Sequence, residues 1–101
     1  NNVIGINTLG NEVPESFYLY QNYPNPFNPT TNIRFDISKA GNVKLTVYDI
    51  AGRQVAELIN GNYSAGKYTF DFNAQNLATG VYFYKLETPV YTSIRKMILV
   101  K

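Results

Sequence analysis

Residues 32–38, "NIRFDIS", and residues 43–50, "VKLTVYDI", decide the fold. In the first, Ile33, Phe35 and Ile37 alternate with Arg34, Asp36 and Ser38. In the second, Val43, Leu45 and Val47 alternate with Lys44 and Thr46. A period of two sends successive side chains to opposite faces of an extended chain. An apolar set facing a polar set describes a strand with one face in a core and the other in water. The intervening "KAGN" is a turn signal. Working outward, "KYTFDFN" (67–73) sets Tyr68, Phe70 and Phe72 against Lys67, Thr69, Asp71 and Asn73. In "VYFYKLET" (81–88), Lys85 and Glu87 mark the solvent face. Tyr82, Tyr84 and Leu86 then face the core, and Tyr48 and Phe83 face outward.

The connections carry their own signals. "DIAGR" (49–53) reads as a tight turn in which Gly52 supplies a positive φ, and Asp49 there is expected to bond local backbone. "NGNYSAGK", with Gly66, and "AQNLATG", with Gly80, read as loops, Leu77 tucking inward as a plug. "QVAELIN" (54–60) is ambiguous in period, but its length and neighbours favour a strand. "FYLYQ" (17–21) reads as a short edge strand. "SIRKMILVK" (93–101) has two possible parities: Arg95 shares a face with Met97 and Leu99, and Lys96 shares one with Ile98 and Val100. Leaving such a segment in water costs about 2 kcal/mol per large side chain, so it is expected to pair inside a sheet. Residues 1–16 are rich in Asn and Gly and read as a linker with a short strand at Val3–Ile6; residues 17–101 form the domain. Six or seven short strands with no helical period predict an all-β antiparallel sandwich.

The totals exclude several functions. A chain of 101 residues fits one domain. It has no Cys and no His, which removes disulfides, thiol nucleophiles, Cys/His zinc sites and an imidazole base. Net charge is +2 with scattered basic residues, so nothing points to nucleic acid. No apolar run reaches the roughly 18–20 residues of a membrane helix. The chain opens on Asn1 without Met or a signal-peptide pattern, which reads as part of a longer protein ending at Lys101.

The acids are Glu12, Glu15, Asp36, Asp49, Glu57, Asp71 and Glu87. Asp36 and Asp71 fall on predicted solvent faces, and nothing pairs two acids as a dyad. No calcium loop is present. "SAGKY" lacks the phosphate-loop pattern, so no cofactor is expected. The aromatics suggest core packing first and a sugar-stacking platform second.

"YPNPFNPTT" (23–31) stands apart. Pro24, Pro26 and Pro29 each fix φ and remove an N–H, which forbids a central strand. The segment is a stiff lead-in, and Phe27 is expected to anchor it in one end of the sandwich.

Four blocks now align: "LYQNYPNPFNPTTNIRFDI" (19–37), "VKLTVYDIAGRQVAELING" (43–61), "AGKYTFDFNAQNLATGVYFYKLET" (65–88) and "RKMILVK" (95–101). Together they resemble the type A C-terminal sorting domain of the type IX secretion system of Bacteroidetes and their relatives. The resemblance covers residues 17–101. It implies a seven-stranded immunoglobulin-like sandwich with no catalytic activity. It also implies a parent protein that folds in the periplasm and crosses the outer membrane to the cell surface or beyond. The implied partners are the outer-membrane translocon, its shuttle components, a sortase-like surface peptidase and an N-terminal cargo domain in the same chain. The peptidase would cut before Phe17, and the cargo would be released or attached to lipopolysaccharide. The family's recognition signal would map to Arg95, Lys96, Met97, Ile98, Leu99, Val100 and Lys101. An exposed edge, if the last strand is one, could add a partner strand, and an exposed or swapped strand would let the isolated domain form a homodimer. The competing expectation is a carbohydrate-binding or structural accessory module of a surface enzyme.

Overall fold

The computed structural model describes residues 6–9 and 12–101, apart from the side chain of Asn7. The described residues form eight strands and no helix: β1 (Ile6–Thr8), β2 (Tyr18–Leu19), β3 (Thr30–Ile37), β4 (Gly41–Asp49), β5 (Gln54–Tyr63), β6 (Gly66–Asn73), β7 (Gly80–Glu87) and β8 (Thr92–Leu99). Seven of them, β2 to β8, lie in residues 17–101. The expected strand at Val3–Ile6 falls largely outside the described residues; β1 begins at Ile6.

All ladders are antiparallel. One sheet has the order β1-β6-β3-β2 and the other β5-β4-β7-β8. The chain changes sheet after β3, after β5 and after β6, so that β6 returns beside β3 and β7 beside β4. This is the Greek-key path of an immunoglobulin-like sandwich, with β5 carried on the second sheet.

The parity read from the alternating segments matches the burial. Ile33, Phe35 and Ile37 of β3 face Val43, Leu45 and Val47 of β4 and Tyr84 and Leu86 of β7, all at most 1% exposed. Tyr68, Phe72 and Tyr82 complete this core, and Phe70 and Leu77 pack against it half-buried. In the last strand, Met97 and Leu99 are the buried face and Lys96 is exposed. "QVAELIN" is a strand, and its broken period has a cause. The β4–β5 register slips between Leu45 and Thr46, where Ile59 is followed by Glu57, and again between Val47 and Tyr48, where Ala56 is followed by Gln54. Leu58 and Val55 are thus extra residues at two bulges, each resetting which parity points inward.

Two expectations are corrected. Asp36 is on the outer face of β3 but only 6% exposed. β2 pairs alongside it, Tyr18 opposite Asp36, and the Tyr20 hydroxyl donates to Asp36 Oδ2 at 2.7 Å. That hydrogen bond, the leading cause, holds the Tyr20 hydroxyl above its ordinary pKa. Thr46, expected in solvent, is fully buried. It sits on a central strand between Glu57 and Lys85, whose long side chains flank a short one.

The turn between β4 and β5 behaves as its residues require. Gly52 has φ +86°, a backbone that a Cβ disfavours. Asp49 Oδ1 accepts from Ala51 N at 3.0 Å and Arg53 N at 2.9 Å, and Oδ2 accepts from the Arg53 guanidinium at 2.9 Å. These donors, the Arg53 amide foremost, hold the Asp49 carboxyl below its ordinary value of 3.8. A depressed carboxyl adds stability above the ordinary carboxylate pKa and loses it as pH falls through the folded value. Asp49→Asn is therefore expected to be less stable than wild type at neutral pH, the gap closing in acid. Urea unfolding midpoints at both pH values measure this, and a gap that does not change with pH refutes it.

Candidate functional site

β8 lies at the end of its sheet, so only its β7 side has a neighbouring strand. Antiparallel pairing turns the N–H and C=O of every second residue away from β7. Four of those outward groups, from Lys96 O to Val100 N, are taken by the lead-in segment. Gln21 Nε2 donates to Lys96 O at 2.7 Å. Ile98 N donates to Asn25 Oδ1 at 3.0 Å. Phe27 N donates to Ile98 O and Val100 N donates to Phe27 O, both at 2.9 Å, which makes a parallel bridge between Phe27 and Leu99. Over Lys96–Val100 the edge is sealed, and the expected open edge for strand addition is absent there.

The residues expected to carry the signal divide by face. Met97 and Leu99 are fully buried and complete the core. Arg95 shares their parity, but it sits at the open side of the sandwich and reaches across to β2. Its Nε donates to Leu19 O at 2.8 Å and its Nη2 to Tyr18 Oη at 2.9 Å. The guanidinium lies 5.5 Å from the Tyr18 ring centroid. Lys96 is exposed, Ile98 half-buried and Val100 45% exposed. Lys101 Nζ donates to Gln75 O, and Lys101 N to Thr79 Oγ1 at 3.1 Å.

The proline segment is a closed loop with its tip in the core. Tyr23 and Asn32 exchange backbone hydrogen bonds across its base, at 3.0 and 2.9 Å. Inside, Asn22 Nδ2 donates to Thr31 Oγ1 at 2.9 Å, and Thr31 Oγ1 donates to Pro24 O at 2.8 Å. Pro24 and Pro26 are exposed, Pro29 is half-buried and its carbonyl accepts from Ala74 N. Phe27 is 2% exposed, its ring 6.3 Å from that of Phe72. Gly66 opens β6 opposite Ile37, and Gly80 opens β7 opposite Leu99.

A tyrosine from the second sheet pins this segment. The Tyr84 hydroxyl donates to Tyr20 O and accepts from Asn22 N, both at 2.7 Å. Burial pushes its pKa up to about 12. Reading by period assigned Tyr84 to the core but missed the role of its hydroxyl. Gln21, Asn22, Asn25 and Thr31 were missed as well. The partners of Gln21 and Asn25 lie far along the chain, 75 and 73 residues away, and no local pattern marks them; Asn22 and Thr31 pair within the loop itself.

The aromatics expected outward line a groove of about 450 Å³ on the outer face of the second sheet, bordered by Tyr48, Ile50, Phe83, Lys85 and Ile94. A sugar site needs polar groups beside its stacking surface. The acid in this groove, Asp49, already spends both oxygens on its own turn. Asp36 and Asp71 are not brought together: across the β3–β6 ladder Asp36 faces Lys67 and Asp71 faces Asn32. Among the described residues no three acidic side chains form a cluster that could hold a metal.

What the geometry defines is a small sandwich whose last strand is held from both sides and presents a polar-apolar outer row. The family model for the secretion system C-terminal sorting domain matches residues 21–101, and the chain belongs to that family, the sorting domains of type IX secretion. No curated protein matches the chain.

Tyr84→Phe would leave Tyr20 O and Asn22 N without their partner, at an expected cost of about 1–3 kcal/mol. A raised phenol pKa adds stability below the ordinary value of 10.0 and loses it as pH rises toward about 12. The gap between wild type and Tyr84→Phe should thus close across that alkaline window. Denaturant titrations at neutral pH and through the window decide it; no gap at neutral pH counts against the pin. Phe27→Ala is expected to cost about 3–5 kcal/mol by the same measurement.

Proposed function

We propose that this domain is a non-catalytic secretion signal, read in the folded state through the outward row of β8, that carries its parent protein across the outer membrane by the type IX system. Family membership supports export to the cell surface or beyond and contact with the secretion machinery. The observation that carries the finer reading is the split of Lys96–Val100, the end of β8 and the residue after it, into a buried row, Met97 and Leu99, and an outer row, Lys96, Ile98 and Val100. A partner reading a folded domain meets only the second row. The translocon and its shuttle are the proposed readers. A sortase-like surface peptidase then removes the domain within the segment before Phe17, where Glu12, Val13, Glu15 and Ser16 are exposed. The cargo is released or joined to lipopolysaccharide.

Deleting Lys96–Lys101 would not test this, because it removes two fully buried core residues. Outward substitutions do. Residues 1–101 are fused behind a fluorescent protein bearing a periplasmic export signal, in a host with the secretion system. Lys96→Glu with Ile98→Thr is expected to leave Tm within about 5 °C, as surface changes usually do. Surface and medium fluorescence should fall at least about tenfold, a loss equivalent to about 1.4 kcal/mol of recognition. Normal export by the folded double variant would place the signal elsewhere. A wild-type fusion retained in the periplasm would refute the secretion reading altogether. Mass spectrometry of the released domain checks the cut, expected before Phe17.

A further inference from the structure

The seal over β8 is built unlike a strand. Prolines at 24, 26 and 29 leave few N–H groups in the segment, and only Phe27 supplies main-chain bonds to the edge, one donated and one accepted. The other two bonds come from the side chains of Gln21 and Asn25, and both are exposed to water. A regular strand would meet the same carbonyls and amides with its own backbone, one after another. The segment runs parallel to β8 at the Phe27–Leu99 bridge, and its firmest hold is the buried Phe27 ring.

We propose that the outer edge of β8 is a strand-addition site whose resident occupant, Gln21–Phe27, is exchangeable. The partner it fits is an extended peptide running parallel to β8 with an aromatic side chain in the place of Phe27. Such a peptide would satisfy Lys96 O, Ile98 N, Ile98 O and Val100 N by backbone alone, while its aromatic refills the hole at the end of the sandwich. The occupant would leave with its internal bonds: the Tyr23–Asn32 pair and the Asn22–Thr31–Pro24 bonds lie within residues 22–32 and do not depend on β8, and besides its bonds to β8 it gives up the one from Asn22 N to the Tyr84 hydroxyl. The use of this exchange in export rests on β8 being the element that the secretion machinery reads; the binding itself does not.

Two experiments keep those claims apart. In the first, the isotopically labelled full chain carrying Asn25→Ala and Phe27→Ala is titrated with a synthetic peptide of residues 21–31, "QNYPNPFNPTT". Saturable shifts at Ile98 and Val100 are expected, with amide exchange there slowed at least about tenfold. Wild type should stay unchanged at the same concentrations, because its tethered segment competes at high effective concentration. A folded variant that takes up no peptide on β8 overturns the proposal. Should that variant not fold, Gln21→Ala with Asn25→Ala keeps the Phe27 ring in place. Faster exchange at Val100, whose acceptor Phe27 O is not substituted, is then expected with Leu86 unchanged, and unchanged exchange at Val100 overturns the proposal. In the second, Gln21→Cys and Lys96→Cys are introduced into a chain without other cysteines and cross-linked, locking the segment down. Export from the cross-linked pair is expected to fall at least about tenfold below that of the same pair kept reduced. Equal export of the two forms removes exchange from the secretion step. Failure of wild type to be exported would instead count against the secretion reading.

Discussion

A strand at the end of a sheet carries a row of backbone groups that its only neighbour cannot reach, and β8 has to satisfy them from elsewhere. The rest of this sandwich is arranged around that requirement. The segment that meets it leaves β2, crosses to the end of the second sheet, turns inward at Phe27 and returns as β3. In doing so it joins the two sheets along one side, with Arg95 reaching Leu19 O and Tyr18 from one side and Tyr84 reaching Tyr20 O and Asn22 N from beneath. The prolines suit a chain that must cover an edge without becoming an edge. A segment poor in N–H groups offers little for a further strand to pair with.

The same arrangement brings the start of the sorting domain against its finish. Residues 18–27 lie about 70 residues before β8 in the chain, yet they share hydrogen bonds and a core. If the proposed signal on β8 is the one read, it reports on folding: the outer row has its native spacing only when Phe27, Met97 and Leu99 are packed. For a domain read after its parent folds, this makes the address conditional on the fold. Truncation at the C-terminus would remove structure together with the proposed signal, whereas substitution on the outer row separates the two.

How much of this was legible in the chain follows from which interactions are local. β3, β4, β6 and β7 could be read with their facing because each buries one side, and burial on one side of an extended chain imposes period two on the sequence. β5 resisted because two bulges, at Leu58 and Val55, reset the parity within ten residues. The facing of Asp36 was correct and its exposure was not, since the chain pairing alongside it brings the Tyr20 side chain onto its carboxylate. The parity of β8 was open because each alternate row holds a cation and apolar residues, and a cation at the sandwich's open side can reach out to carbonyls while its neighbours stay buried.

By itself the sequence determined the all-β class, the positions of most strands, the inward rows of the central ones, the Asp49–Gly52 turn and the family. Each of these is written in spacing along a few residues or in several such blocks in order. Only the tertiary structure decided that Met97 and Leu99 face inward, that Gln21, Asn25 and Phe27 seal β8, and that the Tyr84 hydroxyl pins the segment between them. Those bonds join residues 62 to 75 apart. Their hydrogen-bonding capacity is visible in the chain, but a polar side chain carries no mark of the distant backbone group it will meet.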